Sequence, residues 1–330
     1  MTPSKLSSAA PRLVTLAIMI VVISAIFQVL APTYLSNTNV HAILRHMAVS
    51  GVVGVGLTFV IVVRRFDLSL SGVATLGAMT LGFIIAKTDS LILGALGCVA
   101  IGAACGLING VMIGLARLPD VVTTIAIGSI AYGTSYFYNG GKSYSDNFFS
   151  SGILDINDFR LLGIDAPILI FLLTAGIAAV VLHMTRYGQS FQATGENAKT
   201  ARLSGIPVEN MIAVAFVICG ALVCEAMVLR VSSVGQAMET AGSNVLLPAY
   251  SSVYTGAAIF GTASIPATFA GGLIIALLLN GCTLLGVPYY YSDMMVSVVL
   301  IFSVAIFDPR VFAQIDQAIT FLAPSMRIRS

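Results

Sequence analysis

Leu91 to Gly114 reads LILGALGCVAIGAACGLINGVMIG, a stretch without a single charged residue. As a helix rising 1.5 Å per residue it is about 36 Å long, enough to cross a hydrocarbon core of about 30 Å. Asn109 is its one strongly polar side chain. Gly102, Gly106, Gly110 and Gly114 recur every fourth residue and so share one helix face. In lipid such a ridge lets a second helix approach closely. The alternative reading of the ridge is a smooth wall for a moving solute.

Nine further apolar segments flank this one, at about 13–31, 43–63, 68–86, 121–138, 164–184, 210–231, 245–262, 265–286 and 288–308. Across the 330 residues, 58% are hydrophobic and 9% charged, against roughly 25% charged in a soluble domain. A soluble enzyme, a disordered chain and a nucleic-acid binder are thereby excluded, the last also by a net charge of only +2. The fold class expected is all-α, a polytopic membrane protein with about ten transmembrane helices in a single domain, 1–330. The third and eighth segments are rich in Gly, Ser and Thr, and the eighth holds Pro248, so either is expected to be broken or re-entrant. The run from Leu13 to Ala31 exceeds the roughly 7–15 residues of a cleavable signal core and reads as a retained span.

Lys and Arg set the orientation. With ten spans, Arg45, Lys87, Lys142, Arg160 and Arg230 fall on one side and the other eleven of the 16 on the opposite side. The richer side is read as cytoplasmic, with both termini there. Two connections are long: 139–163 outside and 185–209 inside. Residues 107–110 (LING) and 278–281 (LLNG) echo each other, each after a Gly-rich run and before a proline. Either a 5+5 inverted repeat or chance accounts for the echo; the repeat would put Asn109 towards the inside and Asn280 towards the outside.

Asn109 and Asn280 are amides that must find partners in lipid, either between helices or along a polar pathway. Glu225 lies near the middle of the seventh segment. A carboxylate there is costly, so it is protonated, paired or in water. Arg230 lies about 140° further round the helix and is a poor partner. Asp293 follows Tyr289, Tyr290 and Tyr291, which read as interfacial anchors or as a stacking surface for a sugar. The five cysteines read as buried apolar side chains. His41, His46 and His183 make no metal-ligand spacing. Gly140-Gly141-Lys142-Ser143 lacks the upstream glycine of a phosphate loop, where Tyr136 stands.

GENAKTARLSGI, Gly195 to Ile206, reads as one short cytoplasmic helix. Glu196, Asn197 and Thr200 sit near its start, Arg202 near its end, and Ser204-Gly205 stop it. Ala198, Ala201 and the stem of Arg202 form a small-residue face, with Leu203 and Ile206 at i,i+3 spacing. Such a helix suits docking into a groove on a soluble partner, or lying flat on the bilayer.

At this loop the sequence resembles the permease subunits of bacterial ATP-binding-cassette importers for simple sugars, the ribose-type group. TRYGQSFQATGENAKTARLSGI (185–206) is similar to that family's cytoplasmic coupling segment. RRFDLSLSGVATLG (64–77) and GLINGVMIGLARLPDVVTTIAIG (106–128) resemble two further signatures. Asp67, Leu68 and Ser69 match the second of the three, whereas Arg64-Arg65-Phe66, Leu70 and Ser71 depart from it; elsewhere Glu225 stands where the family has small residues, and residues 255–262 resemble its Gly-rich segment only in part. The resemblance implies a chain without catalytic, metal or cofactor residues, with ATP and Mg held by separate cytoplasmic ATPase subunits. It implies a periplasmic solute-binding protein, a second permease subunit, identical or not, and the inner membrane as location, with no nucleic acid. Residues 195–206 would couple to the ATPase, while Asp67, Ser69, Asn109, Glu225 and Asn280 are the candidates for the translocation pathway. The alternatives are a proton- or ion-coupled secondary transporter working through Glu225, and a membrane scaffold.

Overall fold

Helix starts and stops are set by local chemistry throughout the computed structural model, which describes residues 3–307. Arg310, Arg327 and Arg329, counted in the charge asymmetry, lie outside the described residues. Ser36, Ser90 and Ser264 each accept the backbone N–H three residues on, opening α2 (Asn37–Val62), α4 (Leu91–Gly110) and α12 (Ile265–Leu284). Gly140, Gly235 and Gly261 adopt positive φ to close α5 (Asp120–Asn139), α10 (Val208–Val234) and α11 (Leu246–Phe260). The remaining long helices are α1 (Pro3–Leu30), α3 (Leu70–Thr88), α7 (Ala166–Met184) and α13 (Tyr289–Phe307). α4 runs on into a π-helical turn, Val111–Leu115.

Seven of these helices are long and apolar enough to cross a membrane: α1, α2, α3, α4 with its π turn, α7, α10 and α12. The other three expected spans are helices with weaker credentials. α11 has 15 residues, α5 is interrupted by Thr, Ser and Tyr, and for α13 the described apolar residues run from Tyr291 to Val304. The expected breaks are absent from α3 and α11, each of which is continuous. Pro248 sits in the first turn of α11, where a missing N–H costs nothing. The irregular backbone precedes the two helices instead, at 63–69 and 235–245.

Contacts give each helix its direction. Gly102, Gly106, Gly110 and Gly114 of the α4 ridge meet Gly220, Phe216, Ala213 and Glu209 in turn, so α4 and α10 are antiparallel and nearly touch backbone to backbone. α2 and α7 run in parallel, with His41 and Arg45 at Asp165, Gly51 under the ring of Phe171. The bundle therefore has two ends. End A carries Arg64, Arg65, Arg117, Arg186, Lys199 and Arg202; end B carries Arg45, Lys87, Lys142, Arg160 and Arg230. α2 and α10 form the centre: α10 packs along α4, α2 and α3, while α2 packs along α12 and α11. α3 leans on α4 and α5, and α11 on α12 and α13.

The 139–163 connection is structured. Tyr144 pairs with Ala237 in an antiparallel bridge, and Phe148 and Ile153 are buried. After one helical turn, α6 (Asp155–Asp158), comes a two-stranded hairpin, β1 (Arg160–Leu161) and β2 (Ile164–Asp165). Leu162 and Gly163 both take positive φ in its two-residue turn, the geometry that matches strand twist.

Candidate functional site

At end A the stretch Gly195 to Ile206, expected as one helix, is divided between two helices of the segment 185–206. α8 (Arg186–Glu196) takes in Gly195 and Glu196, and α9 covers Ala198–Leu203. Asn197 is the break, because its Oδ1 accepts both Lys199 N and Thr200 N at 3.1 Å and caps α9. Gly205 N bonds Arg202 O and Ile206 N bonds Ala201 O, both at 3.0 Å, closing α9 in a Schellman motif around Gly205 at φ +82°. Ala201 is buried against the protein, so it does not belong to an outward small-residue face. Leu203 is 83% exposed and is the apolar tip of the segment.

The segment is fastened to both central helices. Phe191 of α8 packs edge-on to Phe59 of α2, with ring centres 5.5 Å apart. Gly195 lies so close to Val62 O that no side chain fits between them. Arg202 Nε bonds Glu209 Oε1 of α10 at 2.8 Å, and Arg117 Nη2 lies 3.7 Å from the same oxygen. Displacing α8 and α9 therefore pulls directly on the end-A termini of α2 and α10.

Also towards end A, three of the five pathway candidates meet in one buried node. Asp67 Oδ1 accepts Ser69 N at 2.9 Å and Ser69 Oγ at 2.5 Å, and Asn109 Nδ2 donates to Ser69 Oγ at 2.9 Å. Tyr250 of α11 closes the node, its hydroxyl accepting Asp67 N at 3.0 Å and donating to Asp67 O at 3.1 Å. Asp120 and Thr124 of α5 accept Phe66 N and Leu68 N. Residues 63–69 are thus tied to α4, α5 and α11 together. The other two candidates sit apart. Glu225 accepts Thr174 Oγ1 of α7 at 2.6 Å, and Asn280 exchanges amide hydrogen bonds with Asn39 of α2 at 2.8 and 3.0 Å.

A cavity of about 730 Å³ opens at end B. α2 and α10 wall it, with α11, α12 and α13 contributing, and its residues include His41, Arg45, Ser50, Arg230, Asn244 and Asp293. None of the five pathway candidates lines it. A second cavity of about 370 Å³ lies between α3 and α5, and Leu68 and Ser71, next to the Asp67–Ser69 node, are among its walls. His41 and Arg45, four residues apart on one face of α2, were legible in the sequence as a polar pair, but a span starting at 43 treats them as a helix end. Arg230, read as an outer-side cation, lies inside α10, which runs on to Val234.

At the cavity mouth Asp165 is fully buried. Arg45 Nε and His41 Nδ1 approach its Oδ2 at 2.8 and 2.9 Å, and Arg160 Nε lies 2.7 Å from Oδ1. Hydrogen bonding from Arg45 above all, aided by His41 against the cost of burial, holds the carboxyl at about 2 rather than 3.8. A depressed carboxylate pKa stabilises the fold above the unfolded value and loses that contribution as pH falls through the folded one. Asp165→Asn should lower the thermal midpoint of the purified protein at pH 7 by the equivalent of about 3 kcal/mol, since it strands Arg45. It should also flatten the fall in stability between about pH 4 and pH 2. An unchanged midpoint at pH 7 would show that the cluster is ornamental.

Residues 39–304 match the family described as branched-chain amino acid transport system / permease component. The ribose import permease protein RbsC of Escherichia coli (strain K12) is 29% identical over 293 residues, 88% of this chain and 91% of that protein. RbsC of Bacillus subtilis (strain 168) is 31% identical over 292 residues, covering 88% and 89%. The D-allose transport system permease protein AlsC of Escherichia coli (strain K12) is 30% identical over 289 residues, covering 86% and 88%. No solved structure matches the chain. With a polytopic all-α bundle on the page and the family spanning nearly all of it, the chain belongs to the branched-chain amino acid transport system / permease component family, as a non-catalytic membrane subunit of an ATP-binding-cassette importer.

Proposed function

We propose that the chain carries a simple sugar or sugar-like solute across the bacterial inner membrane by alternating access, driven by ATP hydrolysed on separate cytoplasmic subunits. The observation that carries this reading is the double attachment of the 185–206 segment, through Gly195 and Phe191 to α2 and through Arg202 to α10. These two helices wall the end-B cavity. A push on the segment is therefore a push on the cavity walls, and ATP-driven closure of partners gripping the exposed Leu203 tip would bias two states of the bundle. The relatives named for ribose and allose support the substrate class.

End A is read as cytoplasmic and end B as periplasmic, where a solute-binding protein docks. All ten long helices are read as spans. α1, α2, α3, α4 and α5 form one half and α7, α10, α11, α12 and α13 an inverted second half. The shift along the chain that lays Asn109 on Asn280 also lays Asn37, the start of α2, on Val208, the start of α10. It brings the start of α5 within two residues of the start of α13. A repeat of five spans inverts its second copy, which agrees with Asn109 lying towards end A and Asn280 towards end B. A second permease subunit completes the assembly, with ATP and Mg bound only by the ATPases.

Reconstitution with the neighbouring ATPase and binding protein tests the reading. Uptake of D-ribose, D-allose or L-arabinose into proteoliposomes should require ATP and all components. Uptake by this chain alone under a proton gradient would overturn it in favour of coupling through Glu225. The Thr174 bond gives Glu225 a structural partner away from both cavities. Glu225→Gln, which keeps an oxygen for Thr174, is therefore expected to retain ATP-driven uptake within about twofold. Loss of uptake with assembly and ATPase activity intact would revive the ion-coupled alternative.

A further inference from the structure

The end-B cavity runs along α2 from Asn37 to Val53, about 24 Å at 1.5 Å per residue. It therefore reaches far into a core about 30 Å thick, and the buried Val53 and Leu229 are among its walls. Charged groups inside apolar helices are rare and mark functional sites by default; Arg230 lies one turn inside the end of α10 and Asp293 one turn inside the start of α13, both towards end B. Arg45 and Arg160 are committed to Asp165 at the mouth. Arg230 on α10 and Asp293 on α13 are not committed. Among the described residues neither side chain makes a hydrogen bond, and no ion pair joins them, although both line the same cavity.

An arginine only donates and a carboxylate only accepts. A hydroxyl does both, so one polyhydroxylated molecule satisfies the pair, with Ser50, Ser233 and Asn244 supplying further donors and acceptors. Of the three lining arginines, Arg45 and Arg160 share Asp165 at the mouth and Arg230 is offset by Asp293, which leaves little net charge for an anion. The volume lies within the roughly 300–1,000 Å³ typical of small-molecule sites. We infer that this cavity, inside a single subunit, is a binding site for a neutral sugar or polyol, with Arg230 and Asp293 as its specificity-determining pair. The inference rests on the importer reading above and adds to it a place where the solute pauses after leaving the binding protein.

The test uses the complete complex in proteoliposomes, with D-ribose, D-allose and L-arabinose as probes. Wild-type uptake identifies the member carried; failure to carry any of them defeats the substrate reading and this inference together. With that sugar, Arg230→Gln and Asp293→Asn should each raise the uptake KM roughly tenfold or more, since each weakens a charge-assisted hydrogen bond. Maximal uptake and ATP hydrolysis stimulated by the unloaded binding protein should change by less than about threefold. A second measurement guards against misfolding. The native cysteines Cys98, Cys105, Cys219, Cys224 and Cys282 are all buried, so a single Ser233→Cys substitution can be followed with a membrane-impermeant thiol reagent. The transported sugar, delivered by its binding protein, should slow that labelling at least about threefold. Wild-type KM in both charge variants, or labelling indifferent to a sugar that the same vesicles import, would overturn the site while leaving the importer reading intact.

Discussion

Gly195→Val is expected to cut ATP-driven uptake about tenfold or more while the protein still inserts and purifies. A Cβ at position 195 falls on Val62 O and crowds Val63 Cα, both backbone atoms that end α2. They cannot step aside, because Arg64 follows at φ +58° and residues 63–69 are pinned to α4, α5 and α11. The last turn of α8 must lift instead, and with it goes the Phe191 contact to Phe59. Coupling energies between distant sites are commonly about 1–3 kcal/mol, or 5- to 150-fold. Losing one of two attachments therefore suffices for a tenfold effect. Gly195→Ala should act in the same direction and less strongly. Gly205→Asn is the control: that glycine has φ +82° and open space around it, and Asn tolerates this conformation. Uptake and ATP hydrolysis measured together separate the cases. Hydrolysis that continues in the Val variant without uptake marks uncoupling; normal uptake would show that the α8–α2 contact transmits nothing.

Hydropathy made the helices legible, and spacing made the ridge legible. Each of the ten apolar segments is a helix, because in lipid a backbone has little choice but to pair with itself, although α1 starts ten residues and α2 six residues before the expected bounds, where polar residues precede the apolar run. What the pattern could not show is which side a short helix turns inward. Ala201 and Leu203 are both apolar and both in α9, yet one is buried and the other exposed. Arg202, between them, bonds Glu209 of α10, a tertiary contact that no local pattern shows. Asn197 was legible as a polar residue near a helix start, but a Gly-Glu pair before it also suits a helix start, and only the two hydrogen bonds to its Oδ1 decide that α8 ends there. The hairpin at Leu162-Gly163 was missed because its strands have two residues each, too few to show alternation. The pathway candidates were chosen as isolated polar residues in apolar runs. Such a residue signals that a partner is needed, and Ser69, Asn39 and Thr174 are those partners. A cavity is a property of several helices at once, so Arg230 and Asp293 carried no mark of facing each other's space.

Gly106→Val tests the deepest structural statement, that α4 and α10 meet backbone to backbone. A Cβ at 106 would overlap Phe216 O and approach Val217 Cα, and the glycines on either side along the ridge are as tightly placed, Gly102 against Gly220 and Gly110 against Ala213. Overpacking costs about 1–3 kcal/mol where side chains can shift, and more where the obstacle is a helix backbone that would have to move along its whole length. α10 cannot translate freely, since α2 and α3 also pack along it. Separating the pair also removes the close approach on which helix association in lipid depends, where no hydrophobic gain drives contact. The expected result is a protein recovered at a small fraction of the wild-type amount, with a thermal midpoint depressed by the equivalent of 3 kcal/mol or more, read by fluorescence-detected gel filtration across a temperature series. Gly176→Ala on α7 meets nothing within 4 Å. It should be neutral or stabilise by up to about 1 kcal/mol through helix propensity alone. If the two substitutions behave alike, the ridge is not a packing surface, and the alternative of a smooth wall for a passing solute returns.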